Sequence, residues 1–193
     1  MLIKTRASSQ KIIGVFHGPM YMHPRQLNND DLFIIPKSII KLLAEMEKQY
    51  EDNNRIYFEN LLNHQNYIIR TRAVCILADL AGEESVRYLS KVLEQDANAL
   101  VRHEAAFSLG QLGYSTAISS LSRAVESDQS FFVRHEAAIA LGVIGSNRAR
   151  TTLKGALVDS SEEVRQSALV ALANLKYIST MKKKNKFTTM TGG

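Results

Sequence analysis

Apolar positions recur along this chain with the period of an α-helix. Behind each of four arginines, Arg70, Arg102, Arg134 and Arg165, small and apolar residues follow at i, i+4 and i+7 spacing. They are Ala73, Leu77 and Leu80; Ala105, Leu109 and Leu112; Ala137, Leu141 and Ile144; Ala168, Leu172 and Leu175. This spacing predicts four amphipathic helices whose buried stripes start on alanine, a residue small enough to let two helices approach closely. A more weakly patterned helix is predicted ahead of each, over 56–62, 86–93, 117–125 and 149–157. Asn66, Asn98, Ser130 and Ser161 stand four residues before the arginines, where their side chains can cap the unpaired N–H groups of a helix start. Gly82, Gly113 and Gly145 stand where the patterned helices should stop, because glycine readily takes the left-handed closing conformation.

The arginines are spaced by 32, 32 and 31 residues, and two of the segments are nearly identical: "VRHEAAFSLGQLG" from Val101 and "VRHEAAIALGVIG" from Val133. Repetition at this period marks a stacked array in which one helix pair cannot bury its apolar face without a neighbour. The predicted fold is therefore all-α, an α-α solenoid of four repeats over residues 53–178. Asp96, Asp128 and Asp159 precede the last three arginines by six residues, which predicts a ladder of carboxylate and guanidinium from turn to turn. His64 holds that place in the first repeat and reads as a polar turn residue. Residues 1–52 read as an atypical N-terminal cap. Its runs "KIIGVF" and "DLFIIP" fit neither period, and from Pro36 a helix carries Ile39, Ile40, Leu42, Leu43 and Met46 on one stripe. Residues 179–193 read as a flexible basic tail.

With 193 residues and 45% hydrophobic content the chain can build a sizeable core. The net charge of +5 owes much to Lys182, Lys183, Lys184 and Lys186, a run that reads as a solvated tail, with no nucleic-acid module beside it. The absence of any run of about 18 apolar residues argues against a membrane span. Cys75 is the single cysteine, which excludes an internal disulfide framework, and its place in a repeat helix makes it a core thiol. Lys4, Arg6, Lys11 and Arg25 precede the first acid, Asp30, but Gly14, Gly18 and "HGPMYMHP" suit a folded loop better than a presequence. His17 and His23 belong to that loop, and the cytoplasm is the expected compartment. The sequence contains no Gly-x-Gly-x-x-Gly or Walker pattern, and no serine or cysteine nucleophile stands out.

Candidate chemistry is confined to two dipeptides in register, His103-Glu104 and His135-Glu136. If Val101 faces the core, a turn of about 100° per residue sends His103 to the opposite face and Glu104 to its flank. The same holds for the second pair. The histidines should then stand exposed on the concave face, separated by about 8 to 10 Å of packed helix, so that their removal costs little stability. Imidazole and carboxylate bind a metal at about 2.0 to 2.2 Å, so pairs that far apart need a second protein surface to complete a site, most simply a second copy on a twofold axis. Phe107 and Ile139 occupy the second-histidine position of a zincin motif, which excludes that class.

The two His-Glu segments resemble the repeats of the deoxyhypusine hydroxylase family, HEAT-repeat enzymes with a di-iron centre, of which residues 53–176 resemble one half. The resemblance implies an O₂-dependent monooxygenase acting on an aminoalkyl-lysine side chain of a protein substrate, with two iron ions per homodimer. It implies that His135 and Glu136 bind one iron, that His103 of the facing copy completes its ligands, and that Glu104 receives the cationic substrate chain. The repeats are also similar to those of phycobilisome lyases, which implies the alternative of a non-enzymatic HEAT scaffold or bilin-lyase-like module that binds a protein partner on its concave face.

Overall fold

The computed structural model describes residues 36–183. The readings of residues 1–35, His17 and His23 included, and of residues 184–193 lie outside them. In order, the helices are α1 Lys37–Glu51, α2 Arg55–Leu61, α3 Tyr67–Ala81, α4 Ser85–Gln95, α5 Ala99–Leu112, α6 Ile118–Ser127, α7 Phe131–Ile144, α8 Arg150–Ala156 and α9 Glu162–Lys183. Short 3₁₀ turns lead into α4, α6 and α8. After α1, which packs on α2 and α3, the helices alternate between two rows. The row α3, α5, α7, α9 is drawn together more tightly than α4, α6, α8, which makes it the concave side. The all-α solenoid expected from the period is thus observed.

The predicted stripes form the core. Ala105, Leu109, Ala137, Leu141 and Ala168 are fully buried in one cluster with Leu89, Leu121 and Leu153 of the other row, and Ala73 and Leu77 are fully buried in a second cluster with Met46 and Phe58. Of the α1 stripe, Met46 is buried but Ile40 is 55% exposed, because α1 leans on the stack with only part of its apolar face. The last helix runs to Lys183, so the first five residues of the expected tail continue α9 instead.

The ladder is bidentate. Arg70, Arg102 and Arg134 each donate from Nε and Nη2 to the two carboxylate oxygens of Asp96, Asp128 and Asp159 in the next repeat, at 2.6 to 2.9 Å. Their Nη1 groups turn back to the loop carbonyls of their own repeat, those of His64, Asp96 and Asp128, at 2.8 to 2.9 Å. Each arginine therefore fastens two successive loops at once. The Arg134 guanidinium holds the Asp159 carboxyl below its usual range despite partial burial. His64 does what the aspartates do at its place: its Nδ1 accepts from the Asn66 N–H at 3.0 Å, as Asp96 Oδ1 accepts from Asn98. Asn66 and Asn98 cap α3 and α5 by accepting from the N–H of Ile68 and Leu100. Ser130 makes no such bond; the Asp128 carboxylate already secures its backbone at 2.8 Å.

Two glycines inside helices explain how the concave row comes so close. A Cβ on Gly110 would lie 2.8 Å from the Ala140 Cβ, and one on Gly142 would lie 2.7 Å from the Ala171 Cβ, with backbone at 2.9 Å in both cases. Gly155 in α8 faces open space. We expect Gly142→Ala to lower stability by about 1 to 3 kcal/mol through overpacking of α7 against α9, and Gly155→Ala to raise it by about 0.5 to 1 kcal/mol through helix propensity. Urea unfolding checks both, and equal stabilities would mean that α7 and α9 can move apart without cost.

Candidate metal centre

The His-Glu dipeptides sit near the N-terminal ends of α5 and α7, held there by the ladder and, at α5, by the Asn98 cap. Their side chains do not stand apart as expected. Because residues adjacent in a helix diverge by about 100°, each dipeptide splits between its two neighbours, histidine reaching forward along the row and glutamate backward. His103 Nε2 of α5 meets Glu136 Oε2 of α7 at 3.3 Å. Glu104 Oε1 of α5 accepts from the Cys75 thiol of α3 at 3.0 Å. His135 Nδ1 of α7 lies 2.7 Å from the Ser167 hydroxyl of α9. Three separate polar contacts thus bridge the four concave helices in turn.

The expectation of exposed histidines on the face opposite the core is corrected for His103, which is 8% exposed, with Glu104 and Glu136 at 7% and 6%. The cause is Phe132, whose ring stacks on the His103 imidazole at 3.8 Å between centroids and 5° between planes, pressing it into the groove between α5 and α7. His135 is half-buried. Packed helices are widely spaced between axes, but side chains as long as histidine and glutamate close that gap from both sides.

Burial, reinforced by the charge of Glu136, raises the Glu104 carboxyl above its usual range against the opposing pull of Cys75, His103 and Arg72. The Cys75 thiol is pushed up as well, by burial and by the Glu104 charge. Cys75 is therefore a protonated donor to Glu104, half in the packing as a core thiol should be and half in the site.

Two donors of the kind iron accepts, one imidazole nitrogen and one carboxylate oxygen, meet here. Two ligand atoms about 2.0 to 2.2 Å from one ion, and near a right angle at it, lie about 3 Å apart. The His103–Glu136 separation matches that bite, and nitrogen with carboxylate oxygen suits iron in its common oxidation states. Among the described residues no three His, Cys, Asp or Glu side chains lie close enough together to hold an ion. Cys75, Phe132 and Ser167 are members of the site that the motif reading missed. Only Ser167 carried a signal, standing two residues after its arginine as Glu104 and Glu136 do.

Comparison with known proteins gives the family. Residues 54–134 and 86–173 match the model for HEAT repeats. The chain belongs to the HEAT-repeat family. A solved structure of human deoxyhypusine hydroxylase in complex with glycerol is similar, with a TM-score of 0.60 and 28% identity over 76% of this chain and 49% of that one. The HEAT chain described here thus spans about half the length of that enzyme. No curated protein matches it. No helix among the described residues is long and apolar enough to cross a membrane.

The burial of these groups sets two expectations for the metal-free HEAT stack. His103→Ala should cost about 1 to 3 kcal/mol, through the lost Phe132 stacking and an unpaired Glu136, while His135→Ala costs less. Thermal unfolding decides this, and equal costs would mean that the two rings are alike in packing. Between the ordinary glutamate pKa and its raised folded value, Glu104 binds a proton in the folded state that the unfolded chain lacks. Its contribution is therefore present at low pH and lost as pH rises through that window, so Glu104→Gln should gain on the wild type with rising pH. A difference in stability that stays constant with pH would contradict the raised carboxyl.

Proposed function

We propose that this protein is a di-iron, O₂-dependent monooxygenase similar to deoxyhypusine hydroxylase, with an active centre assembled by two copies of the chain. The observation that carries the reading is the meeting of His103 and Glu136, from successive repeats, at the separation of two ligands on one ion. His103 and Glu136 of one chain would supply two donors to one ion, and the further donor that a single chain does not bring to it, with His135 as the candidate, would come from the facing copy. Each chain would hold one iron, and a twofold axis across the concave faces would bring two ions together, in keeping with a match that covers about half of the solved enzyme. Iron bound there would supply oxygen activation for hydroxylation.

Glu104 is the residue that would meet substrate. Its buried carboxylate, oriented by Cys75, is a receptor for a cationic side chain of a protein substrate, because an incoming ammonium would offset the loss of hydration that burial imposes on the charged form. Such chemistry belongs to a cytoplasmic enzyme, in agreement with the lone unpaired cysteine.

A second reading has its own support. A HEAT stack that presents its concave face to a protein partner without catalysis, as a scaffold or bilin-lyase-like module, needs no metal. Among the described residues of one chain no group of three ligands is already assembled. Iron content and mass in solution separate the two readings. The enzyme reading expects about one iron per chain in a dimer, lost in the isosteric Glu136→Gln variant while the helical content stays unchanged. A metal-free monomer after reconstitution with ferrous iron would refute it and leave the scaffold.

A further inference from the structure

We infer that Ser167 is a positioning residue that fixes the tautomer of His135, keeping the proton on Nδ1 and the lone pair on Nε2. The Ser167 hydroxyl has a single proton, and it is committed to the Glu163 carbonyl one helical turn back, at 2.8 Å. Towards His135 the hydroxyl can then only accept, and the ring nitrogen facing it at 2.7 Å is Nδ1. A second acceptor stands beside the first: the Glu163 carbonyl oxygen itself lies 3.4 Å from the same Nδ1, and a carbonyl can never donate. Both neighbours demand a proton on Nδ1. With one proton on a neutral ring, Nε2 is left with its lone pair.

Ser167 is well placed to impose this. It is 6% exposed, on α9, at the register that holds glutamate in the two preceding repeats. Where Glu136 meets the histidine of its preceding repeat with a carboxylate, the final repeat meets it with a hydroxyl. The serine orients the ring without drawing Nε2 into a contact, as the carboxylate does with the Nε2 of His103. What Nε2 then binds rests on the function proposed above; the tautomer does not. Outer hydrogen bonds of this kind set the direction and basicity of a metal-binding imidazole.

The test uses full-length, metal-free protein labelled with ¹⁵N, at a pH where the imidazoles are neutral, with long-range ¹H–¹⁵N correlations read from the His135 ring. The wild type should show a protonated Nδ1 and an unprotonated Nε2. Ser167→Ala should shift the ring towards the Nε2–H form or an average of the two, and Ser167→Thr, which keeps the hydroxyl, should restore the wild-type pattern. Cobalt(II) titration should show affinity falling about 10- to 100-fold in Ser167→Ala and recovering in Ser167→Thr. An Nε2–H tautomer in the wild type, or an unchanged pattern in Ser167→Ala, overturns the inference. If Thr is not accommodated in the packing, the wild type and Ser167→Ala decide it alone. The expected tautomers without any cobalt binding would leave Ser167 in its role and count against the iron reading.

Discussion

The register between successive repeats depends on an arginine that grips two loops in one motion. Its Nη1 closes the loop of its own repeat on a backbone carbonyl, while Nε and Nη2 clasp the aspartate of the next. A guanidinium satisfied on both sides in a partly buried setting has little freedom to slide. A fork missing one prong would leave a desolvated charge behind, so the contact enforces geometry more than it adds stability. The loops are thereby locked at a constant offset, and the helices that spring from them start at the same height.

Helices starting at one height can place equivalent residues side by side, but contact between those residues needs close approach. Gly110 and Gly142 provide it by letting the backbones of α7 and α9 settle where a methyl group would intrude. The tight row of concave helices explains why His103 can reach Glu136, and why Glu104 finds a thiol rather than water. Packing at the glycines and polar contacts at the helix starts are therefore parts of one arrangement, separated by about two helical turns.

Much of this was legible in the sequence. The period, the stripes, the aspartate-arginine pairing and the closing glycines Gly113 and Gly145 follow from simple spacing rules and describe the repeats as folded, whereas Gly82, at φ 52° and ψ −130°, opens a 3₁₀ turn instead of taking the left-handed close. The site was legible only in its choice of residues. In a helix taken alone, rotation from Val101 sends His103 away from the core, but Phe132 and Glu136 come from the next repeat and turn the ring sideways. The same isolation hid Cys75 and Ser167, which matter through what they touch across a groove rather than through any motif of their own. The Gly110–Ala140 approach was hidden for a related reason: a lone glycine within a helical pattern reads as a weakness until its neighbour is known.

The splitting of each dipeptide gives the concave row a direction. Histidines look towards the C-terminal end and glutamates towards the N-terminal end, so a closed imidazole-carboxylate contact belongs to the junction between two repeats and never to a single one. A run of such dipeptides always closes one junction fewer than it has members, leaving an unmatched acid at the head and an unmatched base at the tail. Two copies are thus the smallest number that yields any contact at all, and the residues chosen to face the two leftover groups, here a thiol and a hydroxyl, are what distinguish one end of the array from the other.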